Sequence, residues 1–230
     1  MSAAFDKSYF QTSYRDYFAQ NPPAKVATYA NLVRSHLGAG TLLEVGCAFG
    51  LYAVEMARFL RVTATDISEY AIQQARGLPG AAQIQWHAGE IAALRLTPEQ
   101  YDGVAAFDVL EHIPDIERYL RELITLLKPG GFLFVTVPVY DGPLGWAVRL
   151  LDKDPTHVHK WARKAWSDLA RRHGLALRDQ IGLFRWGVGR QYLFFAHRLL
   201  QGVSPAMFLI LQKPPRTPAP TPEKDPRAVS

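Results

Sequence analysis

Residues 42–50 are LLEVGCAFG, an apolar run followed by a loop that contains two glycines. Gly46 permits a tight turn at the end of a strand, and Gly50 permits close packing where a helix begins. The loop departs from the dinucleotide pattern G-x-G-x-x-G because Ala48 takes the place of the second glycine. The carboxylate of Glu44 suits a cationic ligand better than a diphosphate. The segment therefore predicts a strand, a loop that cradles a nucleoside-type ligand, and a helix.

A second acid follows at the spacing that such a ligand requires. Asp66 ends the next apolar run, twenty positions after Gly46. In nucleotide-binding α/β sheets, a carboxylate at this place accepts hydrogen bonds from ribose hydroxyls. Because the carboxyl ends of parallel strands meet at one edge, we expect Asp66 and the glycine loop to bind the same nucleoside.

Short apolar runs alternate with amphipathic segments along most of the chain. Runs that are hydrophobic throughout are typical of strands covered on both faces, and their alternation with helices predicts a parallel sheet. We predict strands at 41–47, 61–67, 84–88, 101–107, 131–137, 175–182 and 206–212. We predict helices from residue 22 to about 37 and at 51–60, 69–76, 116–127, 144–151, 160–173 and 189–201.

Five motifs in order carry a family resemblance. LLEVGCAFG, TATDIS, HAGEIAAL, YDGVAAFDVLEHIPD and LLKPGGFLFVTVP resemble the first five strand segments of class I methyltransferases that depend on S-adenosylmethionine (SAM), in the type 11/12-like branch. The resemblance covers roughly residues 40–140, and AMFLILQKP resembles the last strand of that family. It implies an α/β, Rossmann-like seven-stranded sheet with six parallel strands, an antiparallel last strand and helices on both faces.

The resemblance also implies SAM as the cofactor and a set of residues that contact it. Two of these positions depart from the family pattern. Ala48 replaces a common glycine, and Glu90 replaces a common aspartate that reaches the adenine amine. The implied cofactor-binding residues are Glu44, Gly46, Cys47, Ala48, Gly50, Asp66, Ile67, Glu90, Ile91 and the backbone of Phe107.

Three histidines follow strands four and five, where catalytic groups of an open α/β sheet are expected. Histidine titrates near neutral pH and is the usual general base. We favour His157 as the base with Asp154 as its orienting partner, and His112 is the second candidate. His159 would point away from His157 in extended backbone, which favours a structural role. No carboxylate pattern accompanies this histidine pair, so we predict no metal.

The chain is expected to form one domain with local elaborations. Residues 1–40 are predicted to be helices that cap the active site, and 41–212 to be the methyltransferase domain. Acceptor-site insertions are predicted near 139–160 and 183–205, where apolar helices could form a lid. The proline-rich, polar segment 213–230 is predicted to be disordered.

Composition restricts the setting and the partners. The 230 residues carry a net charge of +5 and a single cysteine, Cys47, which excludes an intramolecular disulfide and fits a reducing cytoplasm. The chain shows neither a signal-peptide pattern nor an apolar stretch approaching the ~20 residues that span a bilayer. We expect no nucleic-acid partner, because no dense Lys/Arg run is present. Weak contact with a membrane surface stays open through the apolar lid segments, and the oligomeric state is open.

The leading functional hypothesis is O-methylation of a small-molecule acceptor by in-line methyl transfer, with a histidine as general base. Sugar, quinone, polyketide and lipid-linked acceptors are all open. N- or C-methylation of a small molecule is the main alternative, since O-, N- and C-methyltransferases share the half of the domain that binds the cofactor. A nucleic-acid methyltransferase, a nicotinamide-dependent oxidoreductase and a SAM-binding protein without catalysis are the weaker alternatives.

Overall fold

An eight-stranded sheet forms the centre of the molecule, with the strand order β3-β2-β1-β4-β5-β8-β6-β7. The computed structural model describes residues 17–152, 154–188 and 191–216. Residues 1–16 of the predicted cap and 217–230 of the predicted tail lie outside these ranges. The strands are β1 Thr41–Val45, β2 Arg61–Asp66, β3 Gln85–Ala88, β4 Tyr101–Phe107, β5 Leu127–Pro138, β6 Ala176–Val188, β7 Gln191–His197 and β8 Ala206–Gln212.

The strand directions confirm the predicted Rossmann-like sheet. Strands β1 to β5 pair only in parallel with one another. Strand β8 is antiparallel to both β5 and β6, so β6 has the same direction as the first five strands. Six parallel strands and an antiparallel last strand are therefore present as predicted. The sheet differs from the prediction in having an eighth strand, β7, which is antiparallel to β6 at the edge.

This extra strand corrects the prediction of a helix over 189–201. Residues 191–197 form β7, and only Arg198–Leu200 form a short 3₁₀ turn. Tyr192, Phe194 and Ala196 are partly buried, whereas Leu193 and Phe195 between them are about half exposed. This period of two is that of a strand, and consecutive aromatic residues pack well on a pleated surface. The apolar run 192–196 fits the periodicity of a helix as well as that of a strand, and its pairing with β6 makes it a strand.

Helices cover both faces of the sheet, as predicted. Seven α-helices lie among the described residues, and two of them begin at a side-chain cap. The hydroxyl of Ser68 accepts the backbone N–H of Ala71, and the carboxylate of Asp115 accepts that of Arg118. The seven helices are α1 Tyr17–Gln20, α2 Pro23–Leu37, α3 Leu51–Met56, α4 Glu69–Arg76, α5 Ile116–Leu126, α6 Gly145–Leu151 and α7 Arg163–Arg172.

Alternate residues of the central strands enter two separate cores. Phe134 packs with Tyr29 and Met56 under α2, α3 and α4, while its neighbour Leu133 packs with Leu123 and Trp166 under α5 and α7. All six side chains are almost fully buried. Because both faces are covered, ligands reach the sheet at the carboxyl ends of its strands, where the loops that follow β1, β2, β4 and β5 meet.

Lys213, the first residue of the predicted tail, is bonded to the methyltransferase domain. It donates hydrogen bonds to the carbonyl oxygens of Ile124 and Leu127 at 3.1 and 2.7 Å. Within the described residues, no helix has the length and apolar character needed to cross a membrane.

Candidate functional site

The loop between β1 and α3 has a backbone shape that explains its glycines. Gly46, Ala48 and Gly50 all have positive φ angles, of 65°, 46° and 78°. A Cβ atom on Gly46 would lie 2.5 Å from Cγ2 of Val109, and one on Gly50 would lie 2.6 Å from Cη2 of Trp86. Both glycines are therefore required by space as well as by conformation. Ala48 adopts the left-handed conformation that a glycine would adopt without strain.

Asp66 holds this loop in place from the end of β2. Its Oδ2 accepts the backbone N–H of Ala48 at 2.8 Å, and its Oδ1 accepts that of Ser68 at 2.9 Å. Burial raises the pKa of Asp66, and these two backbone hydrogen bonds oppose that rise. Each carboxylate oxygen has a second lone pair, so Asp66 can also accept hydrogen bonds from a ligand.

A crevice opens beside Asp66 and collects most of the predicted cofactor residues. Gly46, Ala48, Asp66, Ile67, Glu90 and Ile91 all line this crevice, which we call the first cavity. Ile67 and Ile91 supply apolar surface, while Glu90 is exposed. Gly50 lines neither this cavity nor the one described next, and its role is to let α3 pack against Trp86.

A second cavity adjoins the first and is lined by the remaining predicted cofactor residues, Glu44, Cys47 and Phe107. Gly46, Ala48, Asp108 and His112 line both cavities, so the two lie side by side. Glu44 is 1% exposed, and no described residue bonds to its Oε2. Burial, and then Asp66, raise the pKa of Glu44. A buried carboxylate oxygen without a partner fits a cationic ligand, which would compensate its lost hydration.

Lys25 faces the same cavity and was not found from the sequence. It lies in the first turn of α2 and is 1% exposed. Among the described residues, its ammonium has one hydrogen-bond acceptor, Oδ1 of Asn21 at 2.8 Å, which also accepts the hydroxyl of Tyr52 at 2.7 Å. Burial, and then the charge of Arg185, lower the pKa of Lys25 to about 7. A buried ammonium with unused donors fits an anionic ligand group.

An ion pair between Asp108 and Arg185 forms another part of the cavity wall. Arg185, on β6, donates to Oδ2 of Asp108 at 2.9 Å, and the hydroxyl of Thr136 donates to Oδ1 at 3.0 Å. Burial opposes ionisation of Asp108, but Arg185 and then Lys25 outweigh it and lower its pKa to about 2. An acid directly after β4 is the one sequence signal for Asp108, and no sequence signal indicates its pairing with Arg185.

His112 lies where the two cavities adjoin and lines both of them. It ends a 3₁₀ turn after β4, and its Nδ1 lies 2.8 Å from Oγ1 of Thr156. That hydroxyl donates to Oδ1 of Asp154 at 2.6 Å. Burial, and then His157, lower the pKa of His112, so the imidazole is neutral near neutral pH. The ring centroids of His112 and His157 lie 4.7 Å apart.

His157 lines the second cavity together with Asp154, but its nearest carboxylate is a different one. Its Nδ1 lies 2.9 Å from Oδ2 of Asp152, whereas its Nε2 lies 4.0 Å from Oδ2 of Asp154. Asp152 also accepts the hydroxyl of Tyr140. The structure therefore replaces Asp154 by Asp152 as the group that orients His157. Two histidines with oriented rings thus meet in one cavity, which suits proton removal from an acceptor.

Glu111 adds a third potential ligand beside these histidines. Glu111, His112 and His157 each offer a ligand atom, and these atoms lie within 4.8 Å of one another. The trio could hold a divalent cation, although the Nδ1 atoms of both histidines already have hydrogen-bond partners. The expectation of a mechanism without metal stays a prediction. His159, in contrast, bonds through Nε2 to the carbonyl oxygen of Ile113 and has a structural role.

The order of the strands, the glycine loop and the position of Asp66 together define an α/β enzyme. Such an enzyme binds a nucleoside cofactor at the carboxyl ends of its strands. A family model described as a methyltransferase domain matches residues 43–135. The ubiquinone biosynthesis O-methyltransferase of Marinobacter nauticus is 30% identical over 166 residues, which are 65% of this chain and 69% of the relative. That of Xanthomonas euvesicatoria is 32% identical over 166 residues, which are 65% of this chain and 68% of the relative.

Solved structures show the same fold. A SAM-dependent methyltransferase of Thermotoga maritima superposes with a TM-score of 0.69 at 18% identity, covering 93% of this chain and 100% of that one. A SAM-dependent methyltransferase of Methanosarcina mazei superposes with a TM-score of 0.60 at 18% identity, covering 80% of this chain and 98% of that one. The chain belongs to the SAM-dependent methyltransferases, and it is an enzyme of that class. Its family and fold imply that it uses SAM.

Proposed function

We propose that this enzyme transfers the methyl group of SAM to a hydroxyl oxygen on a small aromatic acceptor of the quinone or quinol type. The observation that carries the proposal is the pair of imidazoles, His112 and His157, each oriented through Nδ1, in a cavity that adjoins the cofactor crevice. A hydroxyl must lose its proton as it is methylated, so a positioned base serves O-methylation more directly than methylation of a free amine.

The cofactor is proposed to extend through both cavities. Asp66 would accept the ribose hydroxyls, Ile67 and Ile91 would enclose the adenine, and Glu90 would reach the adenine amine. At the other end, the buried Oε2 of Glu44 suits the ammonium of the methionine moiety. When bound there, SAM supplies an electrophilic methyl group on a sulfonium.

Lys25 is the proposed partner of the methionine carboxylate. It lies in the same cavity as Glu44, and its ammonium has donors that the described residues leave unused. An amino-acid zwitterion would thus meet a carboxylate from β1 and an ammonium from α2. This arrangement distinguishes the amino-acid end of SAM from the second phosphate-linked nucleoside of a dinucleotide, which would need no buried carboxylate.

The acceptor is proposed to lie in the part of the second cavity that is farther from the glycine loop. The segment near 139–160 contributes Asp154 and His157, and the region near 183–205 contributes Arg185. From the predicted N-terminal cap, Tyr17 and Asn21 line the same cavity and would exclude water from it. These regions correspond to the predicted acceptor-site insertions.

The relatives support oxygen as the methylated atom. Both the Marinobacter and the Xanthomonas proteins are named ubiquinone biosynthesis O-methyltransferases.

The test is an acceptor series with purified enzyme. Hydroxylated quinols and catechols are incubated with SAM labelled in its methyl group, each beside the analogue in which the hydroxyl is already methylated. We expect S-adenosylhomocysteine (SAH) and a product carrying one added methyl on oxygen, located by fragmentation mass spectrometry, only with the free hydroxyl. Turnover of none of the hydroxylated acceptors, or methylation at nitrogen or carbon, would contradict the proposal.

A further inference from the structure

Thr156 connects a carboxylate to an imidazole at the junction of the two cavities. Its hydroxyl oxygen lies 2.6 Å from Oδ1 of Asp154 and 2.8 Å from Nδ1 of His112. The backbone N–H of Thr156 donates to the same Oδ1 at 2.9 Å, which fixes the threonine relative to the carboxylate. All three residues are partly buried, so the contacts are shielded from bulk water.

The direction of each hydrogen bond follows from the chemistry of the groups. An ionised carboxylate only accepts, so the Thr156 hydroxyl must donate its one proton to Asp154. Burial opposes ionisation of Asp154, but the hydrogen bonds from Thr156 outweigh it and lower the pKa of Asp154, which keeps the group ionised. The hydroxyl oxygen then faces His112 with a lone pair, and Nδ1 of His112 must donate to it. In a neutral imidazole, the lone pair is left on Nε2.

The position of His112 distinguishes it from His157. Among the described residues, His112 lines both cavities, whereas His157 lines only the second. A base for methyl transfer must lie where the cofactor and the acceptor meet, and that place is the junction. His157 is held separately, through Nδ1, by Asp152.

We propose that Thr156 is a positioning residue that, together with Asp154, holds His112 in the tautomer with a proton on Nδ1 and makes its Nε2 the base that accepts the proton of the acceptor hydroxyl. The proton moves from the hydroxyl oxygen to Nε2, and the imidazolium later returns it to solvent. Asp154 and the Thr156 hydroxyl keep their own protonation states throughout. This inference deepens the proposed function and rests on it for the identity of the methylated atom.

The first test measures the tautomer in the wild-type protein, and a variant serves only to assign the signals. In wild-type protein labelled with ¹⁵N in its histidines, long-range proton–nitrogen spectra assign the tautomer of each ring, and loss of one signal set in His112→Gln identifies His112. We expect a protonated Nδ1 and an unprotonated Nε2 in the absence of any acceptor. A proton on Nε2 of neutral His112 would overturn the inference, whatever the acceptor is.

The second test uses three variants of threonine. Thr156→Val keeps the shape and removes the hydroxyl, Thr156→Ser restores the hydroxyl, and Thr28→Val is the matched control on the exposed face of α2. We expect Thr156→Val to lower kcat about tenfold to hundredfold, the scale on which a general base contributes, with SAH affinity unchanged within about twofold.

Thr156→Ser and Thr28→Val should keep kcat and the wild-type tautomer of His112, while Thr156→Val should show a mixture of tautomers. An unchanged kcat in Thr156→Val, or a loss that appears only in KM, would overturn the inference. If no hydroxylated acceptor is methylated by wild-type enzyme, the proposed function fails, and the tautomer measurement still decides the role of Thr156.

Discussion

The backbone N–H of Ala48 donates a 2.8 Å hydrogen bond to Oδ2 of Asp66, across eighteen positions of the sequence. One carboxylate thus fixes the glycine loop and presents its remaining lone pairs to the first cavity. Cys47 reinforces the connection, because its N–H donates to the carbonyl oxygen of Thr65 at 3.0 Å. The glycine loop and Asp66 therefore form one structural unit. A change in either should affect both folding and cofactor binding.

Asp66→Ala should weaken SAH binding by about 1–3 kcal/mol, the scale of leaving buried polar groups without partners. It should also lower the free energy of unfolding, because the N–H groups of Ala48 and Ser68 lose their acceptor. Asp66→Asn is the matched control, since its amide oxygen can still accept one of these bonds. Calorimetry with SAH and urea denaturation give the two quantities. Wild-type affinity in Asp66→Ala would exclude a ribose role.

Ala48→Gly should stabilise the protein by about 0.5–1 kcal/mol. A non-glycine residue in the left-handed region costs about 1–2 kcal/mol, and the greater freedom of glycine in the unfolded chain removes part of the gain. Ala53→Gly, in the helical part of α3, is the control and should destabilise by about 1 kcal/mol or more. Both are measured by urea denaturation. A destabilised Ala48→Gly would show that the alanine methyl contributes packing that outweighs its backbone strain.

The parts of the molecule that could be predicted from sequence depend on local physics. The turn at Gly46 needs a positive φ, and Asp66 follows from the length of one βαβ unit, so both are encoded within about twenty residues. The prediction of a helix over 189–201 was wrong because the run 192–196 is apolar throughout, so it fits the period of a helix as well as that of a strand. Only its pairing with β6 makes it a strand, and no local pattern reports that pairing.

Long-range contacts account for what the sequence did not show at the site. Asp108 and Arg185 are 77 positions apart, and they meet because β8 brings β6 back beside the parallel strands. Lys25 lies in an amphipathic helix where a lysine is usually on the solvated face. Its burial depends on how α2 crosses the sheet. Asp152 and Asp154 are both near His157 in sequence, and only the loop conformation determines which of them bonds to Nδ1.

Arg185→Met should destabilise the protein by about 1–3 kcal/mol, because it leaves the carboxylate of Asp108 without its main counter-charge. The effect is smaller than for a fully buried pair, since the side chains of Arg185 and Asp108 are 35% and 26% exposed. Asp108→Asn in the same chain should recover part of the loss, which a double-mutant cycle measures. Additive effects of the two substitutions would show that the pair does not contribute to stability.

Lys25→Met should make the protein more stable near neutral pH and poorer at binding SAH. The pKa of Lys25 is lowered from 10.5 to about 7, so the folded state has to hold a buried ammonium below pH 7. That penalty is at most about 4–5 kcal/mol, at 1.36 kcal/mol per pKa unit, less about 1 kcal/mol for the hydrogen bond to Asn21. Between the two pKa values the unfolded chain binds more protons, so wild-type stability should rise with pH and approach that of Lys25→Met.

The affinity for SAH should have the opposite dependence on pH in the wild-type enzyme. The ammonium of Lys25 binds the carboxylate only when it is charged, so SAH affinity should fall above about pH 7 by up to tenfold per pH unit. Lys25→Met should bind weakly at about pH 6 and converge with the wild type as the pH rises, because the wild-type lysine is then neutral. Lys164→Met, which removes an exposed lysine, is the control and should change neither profile. Parallel affinity profiles for Lys25→Met and the wild type would show that Lys25 does not contact the cofactor carboxylate, and its burial would then need a different explanation.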